Sequence, residues 1–284
     1  MIGNKKEIHA GDDSTNIQAQ NVTIQHNGLS YTAVKEVAMD VFKSNFYDLG
    51  KTVENIINER AEEIINEYLK RLISKNPEAL KNTEDADLRF MIYEAQKNHA
   101  RRGDKEIADL LVDILIDRTT IKDETLVKIV YNEALEILPK LTSKQINILT
   151  VIFILRYVNM GSIFHVEELN FIIKRFTDVV PEGEFFYQHL QYTGCISISV
   201  GAVNYINILK RAYPNLVSAT HENEDLLFKE NLQIVAPYLY MFLEKIDKTQ
   251  MQNCSLTSVG IAIALSNLKK SIKVDWDLGI WIKD

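Results

Sequence analysis

The sequence has 284 residues, 46% of them hydrophobic and 25% charged, with a formal net charge of −7. That length holds one large or two ordinary domains with a self-sufficient core, and the acidic balance argues against a dedicated nucleic-acid surface. Only 11 Gly, 5 Pro and 2 Cys are present, which disfavours a turn-rich all-β protein and a disulfide framework and points to a helical chain in a reducing, cytoplasmic setting.

The opening residues, MIGNKKEIHAGDDSTN, carry no apolar run after their lysines, so no signal peptide is expected. Residues 1–29 are polar and rich in Asn and Gln, and NIQAQNVTIQ (16–25) reads as one pentad said twice. Ile17 and Ala19 alternate, as do Val22 and Ile24, but Asn21 shifts the phase by one. A bend at Gln20-Asn21 restores both pairs to one face. A lone two-strand unit is not stable in water, whereas stacked copies gain backbone pairing and amide ladders. Asn16, Ile17, Gln18, Ala19, Asn21, Val22 and Ile24 are therefore the candidate self-association residues. A tail, or an edge strand on its own domain, is the plainer alternative.

Residues 30–139 read as an α-helical domain. Val34, Val37, Val41, Phe46, Leu49, Val53, Ile56, Ile57, Ile64, Tyr68 and Leu72 follow a helical period, from a cap at Ser30 to the stop at Asn76-Pro77. Unbroken, this helix would run about 60–65 Å and would call for a partner helix; Gly50 offers a place to kink or split it. Helices at roughly 84–101, 104–118 and 123–138 follow, with Gly103 and Asp104 supplying a C-cap and an N-cap.

Residues 140–284 read as a second, mainly helical domain. INILTVIFILRYV (146–158) stops at Arg156, too short for a transmembrane segment and suited to a buried helix. HVEELNFIIKRF and GEFFYQHLQYTG follow as helices, CISISV (195–200) as a short strand, then helices near 202–213 and 224–247. LTSVGIAIALSNLKK is a capped helix, and Trp276, Leu278, Ile280 and Ile282 alternate over 275–283 as a strand would.

Catalytic motifs are sparse. A phosphate loop, a His-Glu-x-x-His helix and a nucleophile elbow are all missing, and the histidines are scattered, so no cofactor and no metal are expected. HENED (221–225) reads as a solvated helix start. One polar cluster stands out: Asp113 and Asp117 lie one helical turn apart beside Arg118, with Arg102 upstream. It fits inter-helix ion pairing better than paired carboxylates at work. Cys195 and Cys254 read as buried small hydrophobes.

Three stretches carry a resemblance. The GD-x-S-x-N-x-Q-A-x-N segment at 11–21 with the helix after it, EAQKNHARRGDKEIADLLVDILIDRT, and LTSVGIAIALSNLKK with GIWIK together resemble an uncharacterised family of bacterial proteins, which implies no activity. The N-terminal segment alone resembles bacterial amyloid-signalling motifs, with Ala19 where a glycine often stands; that likeness implies a role in phage defence or stress signalling and a partner protein with a matching motif. The order of helices, LQYTGCISIS and LTSVGIAIA is similar to winged-helix domains. The third helix, EGEFFYQHLQY, carries no Lys or Arg, and duplex recognition leans on both. The expectation is a non-enzymatic interaction or scaffold protein that homo-oligomerises through residues 1–29 and the long helix. A winged-helix-like regulator and an enzyme with a dispersed active site stay open.

Overall fold

In the computed structural model the described residues are 30–45, 51–121, 123, 125–177, 179–217 and 223–283. The fold is mainly α. Its elements are α1 (Tyr31–Asn45), α2 (Lys51–Lys75), α3 (Ala86–Arg102), α4 (Lys105–Thr120), α5 (Leu126–Ile137), α6 (Ser143–Tyr157), a single turn α7 (Met160–Ile163), α8 (Val166–Phe176), α9 (Glu184–Tyr192), β1 (Ile196–Ile198), α10 (Tyr205–Ala212), α11 (Glu224–Val235), α12 (Pro237–Ile246), β2 (Cys254–Leu256) and α13 (Ser258–Ser271).

The apolar stripe read over 31–74 does not make one straight rod. The Tyr31 hydroxyl donates to Asn66 Oδ1 at 2.8 Å, and Lys35 Nζ lies 2.7 Å from Glu62 Oε1. The chain therefore folds back between α1 and α2. The partner helix that so long a stripe demands is its own first third, together with α3 and α4, which also lie against α2. Ile57, Ala61, Ile64, Ile65, Tyr68, Leu69 and Leu72 are buried there. Deep in that seam the hydroxyls of Tyr68 and Thr119 share a 2.8 Å hydrogen bond.

Caps set the boundaries that follow. Asp85 accepts from the Asp87 N–H and starts α3, and Gly103, at φ 65°, ends it by donating to the His99 carbonyl at 2.8 Å. Only glycine suits that left-handed position, and a Cβ there would also collide with the Arg60 guanidinium. Asp104 then accepts from the N–H groups of Glu106 and Ile107 to open α4. Thr142 and Gln145 cap α6 reciprocally, satisfying donors that a helix start leaves over.

The second half is built on α6 and α13, which pack along each other. Residues 148–155 and 259–268 are buried throughout, as helices hydrophobic all round must be. A polar tie joins them at Asn267, whose Nδ2 donates to Asn147 Oδ1 at 3.1 Å and Thr150 Oγ1 at 2.9 Å. α13 also lies against α4 and α5, so the segments on either side of residue 139 share one hydrophobic cluster.

β1 pairs antiparallel with β2, placing Ile196 opposite Leu256 and Ile198 opposite Cys254. The strand at 254–256 gave no separate signal in the sequence. Thr257 caps α13 by accepting from the Gly260 N–H at 3.2 Å. Gly260 itself sits so close to the Cys195 carbonyl that a Cβ would overlap it. A wing would join two such strands by a short turn; here α10, α11 and α12 intervene. The helix expected over 224–247 is cut in two at Pro237, whose missing N–H and ring stop continuation.

The strand expected over 275–283 is not formed. Residues Leu278–Ile280 make a 3-10 turn capped by Asp277, because no strand among the described residues lies beside them to pair with. The Trp281 indole instead donates to the Tyr157 carbonyl at 2.9 Å, and its ring meets Phe153 edge-on at 4.9 Å. Leu278 and Ile282 are buried while Ile280 points outward, which a single strand face would not allow.

Candidate interaction site

Asn16, Ile17, Gln18, Ala19, Asn21, Val22 and Ile24 lie outside the described residues. The polar cluster is described, and its members do not converge. Arg102 donates to the carbonyls of Pro139 and Leu141, the latter at 3.0 Å, and so fastens the end of α3 to the start of the second half. Asp113 faces α2, with Arg71 at 3.4 Å and Lys75 at 3.9 Å. Asp117, one turn on, faces α13 through Lys269 at 2.9 Å. The two carboxylates thus serve different helices.

Arg118 is 1% exposed and is the centre of a knot on the other side of α4. It donates to Asn132 Oδ1 at 3.0 Å, to Asp85 Oδ2 at 3.3 Å and to Asp87. Lys128 joins through Asp85 at 3.3 Å. Burial works to raise the Asp85 carboxyl, but the Asp87 N–H, Lys128 and Arg118 outweigh it and hold it below its usual range. Asp109 is likewise lowered: burial opposes, and Lys270 and Arg71 prevail. Asp113 goes the other way, raised chiefly by burial despite Lys75 and Arg71. These are ties between helices.

The thiols offer no nucleophile. Both are free and buried, and burial pushes Cys195 up to about 11 and Cys254 up to about 12, so each stays protonated at neutral pH. His189 is held by Gln145 at 2.9 Å. Among the described residues no three His, Cys, Asp or Glu side chains gather as a metal would require. A wider groove of about 800 Å³, in which charged side chains stand among apolar ones, lies between α2 and α4. Its Arg71 is already bound by Glu67 at 2.6 Å and Asp109 at 2.9 Å.

One concavity differs in character. Between α1 and the start of α3 runs an apolar groove of about 250 Å³, walled by Val34, Val37, Ala38, Ile92, Tyr93 and Phe90. Val37 is 38% and Phe90 53% exposed. The groove opens at the helix on to which residues 1–29 feed directly. The valines were legible as a periodic stripe; Phe90 was not, since nothing local distinguishes an outward aromatic on a helix from a buried one. α9 also turns aromatic side chains outward, Phe185 and Tyr192, and carries no Lys or Arg.

Residues 28–235 and 225–282 match the profile of one uncharacterised protein family. The chain belongs to that family. No curated protein and no solved structure matches it. Among the described residues no helix is long and apolar enough to cross a membrane.

Proposed function

We propose that this member of the family is an interaction module that associates with copies of itself through residues 16–25, the helical body serving as the platform that presents them. The observation that supports this reading is the apolar wall left open at Val37 on α1 and Phe90 on α3, α1 being the helix that follows the amide-rich phrase in the chain. Apolar side chains grouped along one groove mark an interaction site more often than scattered exposure does. The helical ties at Arg102, Asp113, Asp117 and Arg118 fit a platform, since each joins separate elements of the fold.

Assembly by stacking would recruit a second protein carrying a matching segment, and a stress or phage-defence signal passed by such recruitment is the setting this reading favours. The aromatic outer face of α9, which carries Glu184 and no Lys or Arg, supports contact with protein over contact with a duplex.

The test is the solution mass of the full chain beside a chain starting at Ser30, by light scattering over a range of concentrations. The full chain is expected to grow in mass with concentration and the shorter chain to stay a monomer. Equal masses at every concentration refute the reading. The shorter chain is a fair comparison because the core among the described residues closes without residues 1–29.

A further inference from the structure

The α1–α3 groove has a second feature besides its apolar walls. Gln96 lines it and is 1% exposed. Its Nε2 donates to the Ala61 carbonyl at 3.3 Å, but its Oε1 has no hydrogen-bond partner among the described residues. Buried acceptors are rarely left so, because an unmade bond costs the full desolvation of the group. The groove therefore asks for an occupant that is apolar along its length and brings an N–H donor.

Resting on the self-association reading, we propose that the groove is the docking site of the chain's own Ile17–Ile24 phrase, which it holds back from other copies. The chemistry matches. NIQAQNVTIQ contains no charged residue, so nothing in it need be buried at electrostatic cost, and Ile17, Ala19, Val22 and Ile24 supply small branched side chains. Its Asn and Gln side chains and its backbone supply donors for Gln96 Oε1. The size matches too: small-molecule sites run roughly 300–1,000 Å³, whereas about 250 Å³ suits a few aliphatic side chains.

Reach and tether decide between the chain's own phrase and that of a second copy. Residues 25–30, ahead of α1, span at most about 20 Å when extended, while α1, at 15 residues, is only about 22 Å long. A phrase bent at Gln20-Asn21 would make two arms of roughly 16 Å, and that link is long enough to bring them to Val34, Val37 and Ala38 on the α1 wall of the groove. So short a link gives an effective concentration in the millimolar range. A second copy at micromolar concentration competes poorly with that. The groove then sets the concentration at which assembly begins.

Hydrogen exchange on the full chain, read over residues 16–25 at several concentrations, tests this. Amides there are expected to exchange at least about 10-fold more slowly in the wild type than in Phe90→Glu, at every concentration, with Phe90→Leu retaining the protection. By light scattering, Phe90→Glu is expected to assemble at a concentration about 10-fold lower than the wild type does. Circular dichroism checks that the variant is folded, and Val37→Glu, on the opposite wall, gives the same readout should Phe90→Glu fail to fold. Protection that rises with concentration would assign the groove to a second copy and overturn the proposal. Equal exchange in wild type and both charged variants overturns it as well. If the protection is present but the full chain never exceeds the mass of the chain starting at Ser30, docking stands and self-association falls.

Discussion

Replacing Arg118 with Met tests whether the polar cluster on α4 is part of the fold or part of a site. The guanidinium is 1% exposed and meets Asp85, Asp87 and Asn132, so Met keeps the volume and removes every one of those bonds. Breaking a fully buried ion pair costs about 3–5 kcal/mol, because the partner charge stays behind. Here the partners are partly wet, with side-chain exposures of 34% for Asp85 and 46% for Asp87. Water can rehydrate them, which brings the expected loss down to about 2–3 kcal/mol. Lys128 still faces Asp85 at 3.3 Å and softens the loss further on that side. For a chain of this size, about 2–4 °C in Tm accompanies each kcal/mol, so thermal unfolding followed at 222 nm should move down by roughly 4–12 °C. Arg118→Lys should recover little, since a single ammonium cannot fork to three acceptors. A Met variant unfolding within 1 °C or so of the wild type, by the same size relation, would show that the knot contributes nothing to stability and would return Arg118 to the functional candidates.

Three further outcomes follow from the same geometry. Ile17→Asp with Val22→Asp should prevent the growth of mass with concentration while leaving helix content intact, since stacked carboxylates one strand spacing apart repel by about 3–4 kcal/mol at an intermediate dielectric; unchanged growth would move association elsewhere. Asp109 and Asp113 should differ in sign. The lowered carboxyl of Asp109 adds stability above its unfolded pKa that is lost as pH falls through the folded one, so Asp109→Asn should lower Tm at pH 7. Asp113 is raised and is most at ease protonated, so Asp113→Asn should leave Tm at pH 7 unchanged or higher; matching losses in both variants would refute the assignment. Finally, Cys195 and Cys254 should resist alkylation at pH 8 in the folded chain and both react in denaturant, and rapid native labelling of either would contradict their burial.

Much of the helical body could be read in advance because its signals are local. Asp85, Asp104, Thr142 and Thr257 cap helices by contacts within three residues, and Gly103 ends α3 by a contact four residues back. Where the deciding contact is distant, the pattern misleads. Nothing near Phe46–Gly50 tells a split helix from a straight one; the contact of Tyr31 with Asn66 decides. The alternation at 276–282 is genuine, yet a strand needs a neighbour, and the sequence does not announce that Tyr157 will claim the Trp281 indole instead. β2 was hidden for the complementary reason: a three-residue strand owes its existence to β1, 58 residues away. The polar cluster on α4 showed the same limit. Its spacing marked ion-pairing residues, while the partners Asp85, Lys269 and Arg71 come from three other elements. The groove was half legible, in the valine stripe of α1 and not in Phe90 or Gln96.

The seating of α13 carries a consequence for the order of events on the ribosome. Its neighbour α6 is made more than a hundred residues earlier, for Asn267 finds Asn147 and Thr150 at separations of 120 and 117 residues. The α1–α5 segment is rich in nearby contacts and can collapse as it emerges, the kind of topology that closes quickly. α6 cannot finish with it. Until residues 258–271 leave the tunnel, a largely apolar helix waits with one side bare, and β1 waits for β2. A nascent chain of this protein therefore passes through a long interval with its greasiest helix uncovered, which makes the second half, and not the amide-rich beginning, the stretch where chaperones would be needed most.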